Sequence, residues 1–272
     1  MVRRSLVLVA VAALLSGCAP AVEPPREPGA VPTSTPSSVV LEPAETDGGT
    51  LYAPAGLSAD ERQEWLRRLG WAAATVRETD LGSLTEAWDG RIAVELPAGQ
   101  ADYLALAGPG SEQAAASTRC DADGSRIAIN PVIRGEPSSY LDALLLHETV
   151  HAATDSGCAE APLWIEEGLA EWLTEQHDPG ARHTNQLWLD RELAAGLPSA
   201  LPADDAFRGS ASEISGAYAL AAFAVTTAVG NLGHDQAMAF FADPDARTTT
   251  QVAQLYLAAL RARGVPTVSE LR

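Results

Sequence analysis

Trp65, Leu69, Ala72 and Val76 recur at helical spacing behind Ser58 and Glu61, a pair placed to form a capping box, and predict a helix from about 59 to 78. Between Arg91 and Leu96 the period falls to two. Ile92, Val94 and Leu96 alternate with their neighbours and stop at Pro97, the pattern of a half-buried strand. A short helix over 100–107, closed by Gly108, is followed by a second strand over 125–133, where Ile127 and Ile129 alternate. Beyond it the period stays helical, over 138–155, 162–177, 184–195, 211–229, 234–242 and 249–263, the last closed by Gly264. No internal repeat interrupts the series. The pattern predicts an α+β fold, with a small α/β part over 50–136 and a mainly helical part over 137–272.

The chain before that domain reads differently. Arg3 and Arg4 precede an almost unbroken apolar run from Leu6 to Leu15. At about ten residues it has the length of a signal-peptide core and is too short to span a bilayer. It ends in Leu15-Ser16-Gly17-Cys18, which resembles the lipobox of bacterial lipoproteins. That resemblance implies removal of residues 1–17, lipidation of Cys18, and a protein held by lipid at the extracytoplasmic face of the bacterial cell membrane. A plain secretory signal with an incidental cysteine is the other reading. Residues 18–49 are rich in Pro, Ser, Thr and Glu without apolar period, so they are expected to form a disordered tether. The fold is expected to begin near Thr50.

Composition narrows the partners. Of 272 residues, 46% are apolar and 20% charged, which excludes a wholly disordered or fibrous chain. The formal net charge is −18, and every basic residue is arginine. So acidic a surface argues against nucleic acid as a partner and against electrostatic docking on an anionic membrane. Contact with the membrane is expected through the N-terminal lipid only. Cys120 and Cys158 remain in the folded part. An oxidising compartment allows a disulfide between them, which would stabilise by about 4 kcal/mol on the chain-entropy model. Two free thiols, or Cys158 as a metal ligand, are the other readings.

The chemistry lies in the first helix of the second part. His147-Glu148-Thr149-Val150-His151 has the form H-E-x-x-H. On a helix the two imidazoles share one face and can reach one metal ion, while Glu148 lies about 100° round and can address a water at that ion. Pro137 and Ser138 supply a helix start, with Ser138 the expected N-cap, and Asp155-Ser156-Gly157 supply its stop. A helix with two unrelated histidines would satisfy the same pattern. Catalytic zinc takes three protein ligands and leaves one position open, so a third donor is needed from another element. Pro162, placed as the first residue of a helix, is followed by Leu163-Trp164-Ile165-Glu166-Glu167-Gly168-Leu169-Ala170-Glu171-Trp172. Glu167 and Glu171 share a face there, and Glu166 sits on another. Gly168 inside a helix costs about 1 kcal/mol relative to alanine, which close approach of the two helices would offset.

His147-Glu148-x-x-His151 followed by Glu167 in Trp-x-x-Glu-Gly-Leu-Ala-Glu resembles the gluzincin metallopeptidases, in particular the small bacterial peptidase MA-like domains. The motif match covers roughly 138–175. The resemblance implies a zincin-like fold holding one zinc ion on His147, His151 and Glu167, with Glu148 as catalytic base and Glu171 accepting a hydrogen bond from a ligand histidine. Tyr218 is the candidate donor to the developing oxyanion; packing in an apolar helix is its other reading. The strand over 126–133 is the expected edge for an extended substrate. The implied activity is zinc-dependent hydrolysis of peptide bonds in a peptide or protein substrate. A non-catalytic binding or assembly lipoprotein on the same scaffold is the alternative. His177 and His183, placed in a loop, and His234 are expected at the surface, and Trp164, Trp172 and Trp188 in the core or a pocket wall.

Overall fold

The computed structural model describes residues 40–108, 110–121, 124–154 and 161–264. The expected signal peptide, Cys18 and Cys158 lie outside these residues. Five strands form one sheet: β1 (Leu41–Thr46), β2 (Gly49–Pro54), β3 (Ile92–Glu95), β4 (Ala116–Asp121) and β5 (Gly124–Ile129), in the order β1-β2-β3-β5-β4. β2, β3 and β5 run parallel, and β1 and β4 are antiparallel to their neighbours. Among the described residues the fold therefore already includes Leu41–Thr46, ahead of the expected start at Thr50. β1 escapes the apolar period because it is an edge strand whose Glu42, Pro43 and Glu45 need no buried side. The expected strand over 125–133 stops at Ile129, because Asn130 caps a short 3-10 turn over Pro131–Ile133 whose proline cannot donate to a ladder. β5 is also not an edge. It pairs with β3 on one side and β4 on the other, so β4 takes the outer position expected for the strand over 126–133.

Helix α1 (Ala59–Glu78) connects β2 to β3 and starts at the capping box read from Ser58 and Glu61. Helix α2 (Gln100–Ala107) packs Tyr103 and Ala107 against Ala128 on the other face of the sheet. Leu51, Ile92, Val94, Ile127 and Ile129 meet Trp65 and Leu69 of α1 and Leu141, Leu144 and Leu145 of α3 (Ser138–Ala153). The same α3 gives Leu146, Val150 and Ala153 to a second core, built by the helices that follow. Serving both cores, α3 is buried all round from Leu144 to Ala153. Ser138 is not its N-cap. Pro137 holds that position, and the Ser138 hydroxyl accepts from Arg68 Nη2 at 3.0 Å.

The second core comprises α4 (Leu163–His177), α5 (Pro179–Ala195), α6 (Ala211–Leu232), α7 (His234–Ala242) and α8 (Ala246–Arg263). These elements give the α+β architecture that the apolar period predicts. Pro162 caps α4 from the position before its expected place. α5 starts five residues earlier than predicted, with Asp178 capping Gly180 N and Pro179 in the first turn. His183 accordingly sits on a helix rather than in a loop, exposed like His177, whereas His234 is half-buried. Among the described residues α6 is the one helix long and apolar enough to cross a membrane, yet 67% of that stretch is buried inside the protein. Gly168 serves this packing. A Cβ there would meet Ala221 O and Val225 Cγ2, each at 2.7 Å. The close approach it permits is of α4 to α6, not of α4 to α3 as the sequence suggests.

Candidate metal centre

The burial of α3 puts His147, Glu148 and His151 out of solvent at the seam between the two cores. One turn into α4, Glu167 is buried opposite them, and the four side chains stand among residues with almost no exposed surface. The two imidazole Nε2 atoms are 3.0 Å apart, and Glu167 Oε2 lies 3.4 Å from that of His147 and 3.5 Å from that of His151. A tetrahedral ion bound at about 2.0–2.1 Å keeps its donors about 3.3 Å apart, so this triangle has the dimensions of three ligands to one ion. His147, His151 and Glu167 thus form a buried group that could hold a metal ion, the one such group among the described residues.

The electrostatics agree with that donor set. Burial pushes the Glu167 carboxyl up, but His151 and His147 outweigh it and hold the group at about 2, fully ionised at neutral pH. Burial likewise pulls the His147 imidazole down, while Glu167 and Glu171 pull it up and prevail. A dication placed between these groups would replace the proton that otherwise neutralises them.

Around the triangle stand the other expected residues. Glu171 Oε1 lies 3.1 Å from His147 Nδ1, on the far side of the ring from Glu167. Such a partner fixes the tautomer that leaves Nε2 as the donor to a metal. Glu148 is wholly buried, and its Oε2 accepts from the Thr118 hydroxyl of β4 at 2.5 Å. Its Oε1 has no hydrogen-bond partner among the described residues. Tyr218 of α6 has its ring centroid 6.1 Å from that of His147 and lies near enough to Glu167 to feel its charge. Burial first, and then the charges of Glu167, Glu171 and Glu148, hold its pKa well above the ordinary phenol value, so it stays a neutral donor. Glu166 takes no part in the group. Burial and the charges of Glu167 and Asp204 push its carboxyl up to about 8 on another face of α4.

A cavity of about 320 Å³ opens beside the group, between α3, α4, α5 and α6. Leu144, His147, Glu171, Asn185, Trp188 and Tyr218 are among its walls, and no arginine is among its lining residues. Trp188 is therefore a pocket residue, whereas Trp164 is buried core. Cys120 is disulfide-bonded, and Cys158, the partner considered for it, falls outside the described residues.

Thr118 and Asn185 had no signal in the sequence. Thr118 sits in a strand of small and polar residues, Ala116 to Asp121, without apolar alternation. Asn185 lies one turn inside a helix whose facing partner sequence spacing does not reveal. Comparison of the chain with protein-family models, with curated proteins and with solved structures finds no match.

Proposed function

We propose that the protein is a zinc metallopeptidase that hydrolyses peptide bonds, held at the extracytoplasmic face of the membrane by lipid on Cys18. The observation that carries the reading is the triangle of His147 Nε2, His151 Nε2 and Glu167 Oε2, at 3.0–3.5 Å from one another, with the buried carboxylate of Glu148 next in sequence to its first member. Two neutral imidazoles and one carboxylate are a donor set suited to zinc that acts in catalysis. Bound there, zinc supplies Lewis acidity to a carbonyl and acidifies a water.

The chain's own groups divide the remaining work. Glu148, oriented by Thr118 through Oε2, keeps Oε1 to take a proton from the attacking water and to deliver it to the leaving amine. Tyr218, kept neutral, offers its hydroxyl to the oxygen on which charge develops. The cavity walled by Leu144 and Trp188 receives a substrate side chain, and its acidic members Glu171 and Asp178 disfavour carboxylates there. β4, at the rim of the sheet and bonded to Glu148 through Thr118, is the strand along which an extended peptide would add.

The test is hydrolysis of a diverse peptide mixture, followed by mass spectrometry, by the wild type and by Glu148→Gln, both loaded with zinc. Cleavage by the wild type that the variant lacks supports a peptidase. Zinc held by both with no cleavage by either favours the non-catalytic binding scaffold.

A further inference from the structure

Three acids recur one turn apart along α4: Glu167, Glu171 and Glu175. Carboxylates at that spacing repel one another. Glu167 belongs to the metal group and Glu171 braces His147, whereas Glu175 touches neither histidine. What joins it to the site comes from the next helix. Asn185 of α5, only 9% exposed, places Nδ2 2.7 Å from Glu171 Oε2 and 2.8 Å from Glu175 Oε1. A side-chain amide carries two N–H donors, so this one neutral group serves both acids at once. Both of its partners are acceptors there, which fixes the nitrogen rather than the oxygen of the amide toward them.

The contacts form a continuous line. Asn185 holds Glu171 Oε2, Glu171 Oε1 holds His147 Nδ1, and His147 Nε2 faces His151 and Glu167. Each link depends on the one before it. Glu171 has three rotatable side-chain bonds and borders the cavity, so without a second anchor its carboxylate could turn toward the cavity and leave the imidazole. The neighbouring Glu175 would push it the same way. Burial first, and then the charge of Glu171, outweigh the Asn185 hydrogen bond and the Arg182 charge on Glu175 and bring its carboxyl up to about 7.

We infer that Asn185 is a positioning residue of the metal centre, which bridges Glu171 and Glu175 and thereby holds His147 in the orientation that ligates. The inference rests on the reading of His147, His151 and Glu167 as a zinc site, but not on peptidase activity.

The experiment is a competition titration of zinc against a chromophoric chelator. It uses the intact chain as wild type, Asn185→Ala, Glu171→Gln and the double variant, with thermal melting of each metal-free protein alongside. Loss of an outer partner of a ligating histidine weakens metal binding about 10- to 100-fold. The expected result is a zinc Kd raised about tenfold in Asn185→Ala and at least as much in Glu171→Gln. The double variant should bind no more weakly than Glu171→Gln alone, because both changes break the same line. A lower melting temperature in Asn185→Ala with an unchanged zinc Kd would make Asn185 merely structural and overturn the inference. So would independent, additive losses in the double variant. If Asn185→Ala does not fold, Asn185→Ser, which removes the bridging amide and keeps a small polar group, is read by the same criteria. A wild type that binds no zinc would instead refute the metal site itself, a result distinct from the failure of Asn185 alone.

Discussion

The hydroxyl of Thr118 stands 2.5 Å from Oε2 of Glu148, joining the outer strand of the sheet to the helix that carries both histidines. β4 and α3 meet at this bond, so the edge of the sheet and the proposed base are held in one register. Replacing Thr118 by valine keeps the shape and removes the donor. Thr118→Val is expected to bind zinc as the wild type does and to lose about tenfold in kcat, a fraction of the 10²- to 10⁴-fold that a positioned base contributes. Steady-state kinetics on protein of matched zinc content checks this.

Zinc should stabilise the fold through the triangle of donors. A ligand that binds only the native state adds about 2.7 kcal/mol at a hundredfold excess over its Kd. Zinc is therefore expected to raise the melting temperature of the wild type, and a chelator to reverse the rise. In Glu167→Gln and His151→Ala the rise should be nearly absent, since each lacks one of three ligands. Differential scanning calorimetry with and without zinc measures it.

At Gly168 the expectation runs against helix propensity. Alanine there would gain about 1 kcal/mol as a helix former. Its Cβ would nevertheless stand 2.7 Å from the Ala221 carbonyl oxygen, and backbone does not yield as a flexible side chain does. Overpacking of this kind costs about 1–3 kcal/mol. Gly168→Ala is expected to melt at a lower temperature than the wild type, and its zinc affinity to fall as α4 moves off α6. Denaturant unfolding and zinc titration together test both parts.

Much of the fold could be read from apolar spacing, and what could not has identifiable physical reasons. α1 and α7 lie where the period and the caps place them, Ala59–Glu78 and His234–Ala242. β1 gave no period because this edge strand buries little, and β4 gave none because its buried residues, Ala116, Ser117 and Thr118, are small or hydroxylated rather than alternating large apolar ones. The start of α5 was marked by Asp178-Pro179, a cap and a first-turn proline that also suit a loop. The residues around the metal group were legible because helical spacing alone sets His147 beside His151 and Glu167 beside Glu171. Thr118 and Asn185 were not, since each depends on which elements pack together, and neither β4 against α3 nor α5 against α4 follows from local pattern.

Glu175 gives the protein a pH dependence separate from the metal. Burial brings its folded-state pKa up to about 7, against an ordinary value of 4.5. Between these values the folded chain holds a proton that the unfolded chain has released, so this group's contribution to stability falls as pH rises from 4.5 to 7 and stays low above. Glu175→Gln can still accept from Asn185 but has no proton to lose. Relative to the wild type it should gain stability across that interval and hold the gain at higher pH, with little difference below 4.5. Urea unfolding of the metal-free proteins from pH 4 to pH 8.5 would reveal it. A gain that grows toward low pH would contradict the assignment.

The central claim is that His147, His151 and Glu167 hold a single zinc ion, and the stoichiometry of binding tests it most directly. Zinc titrated into the metal-free intact chain, with the free ion read by a chelating dye, is predicted to show one tight equivalent. Glu167→Gln should bind that equivalent far more weakly, and the His147→Ala, His151→Ala pair should not bind it. A wild type that takes up no zinc, or variants that still bind one equivalent with undiminished affinity, would contradict the account.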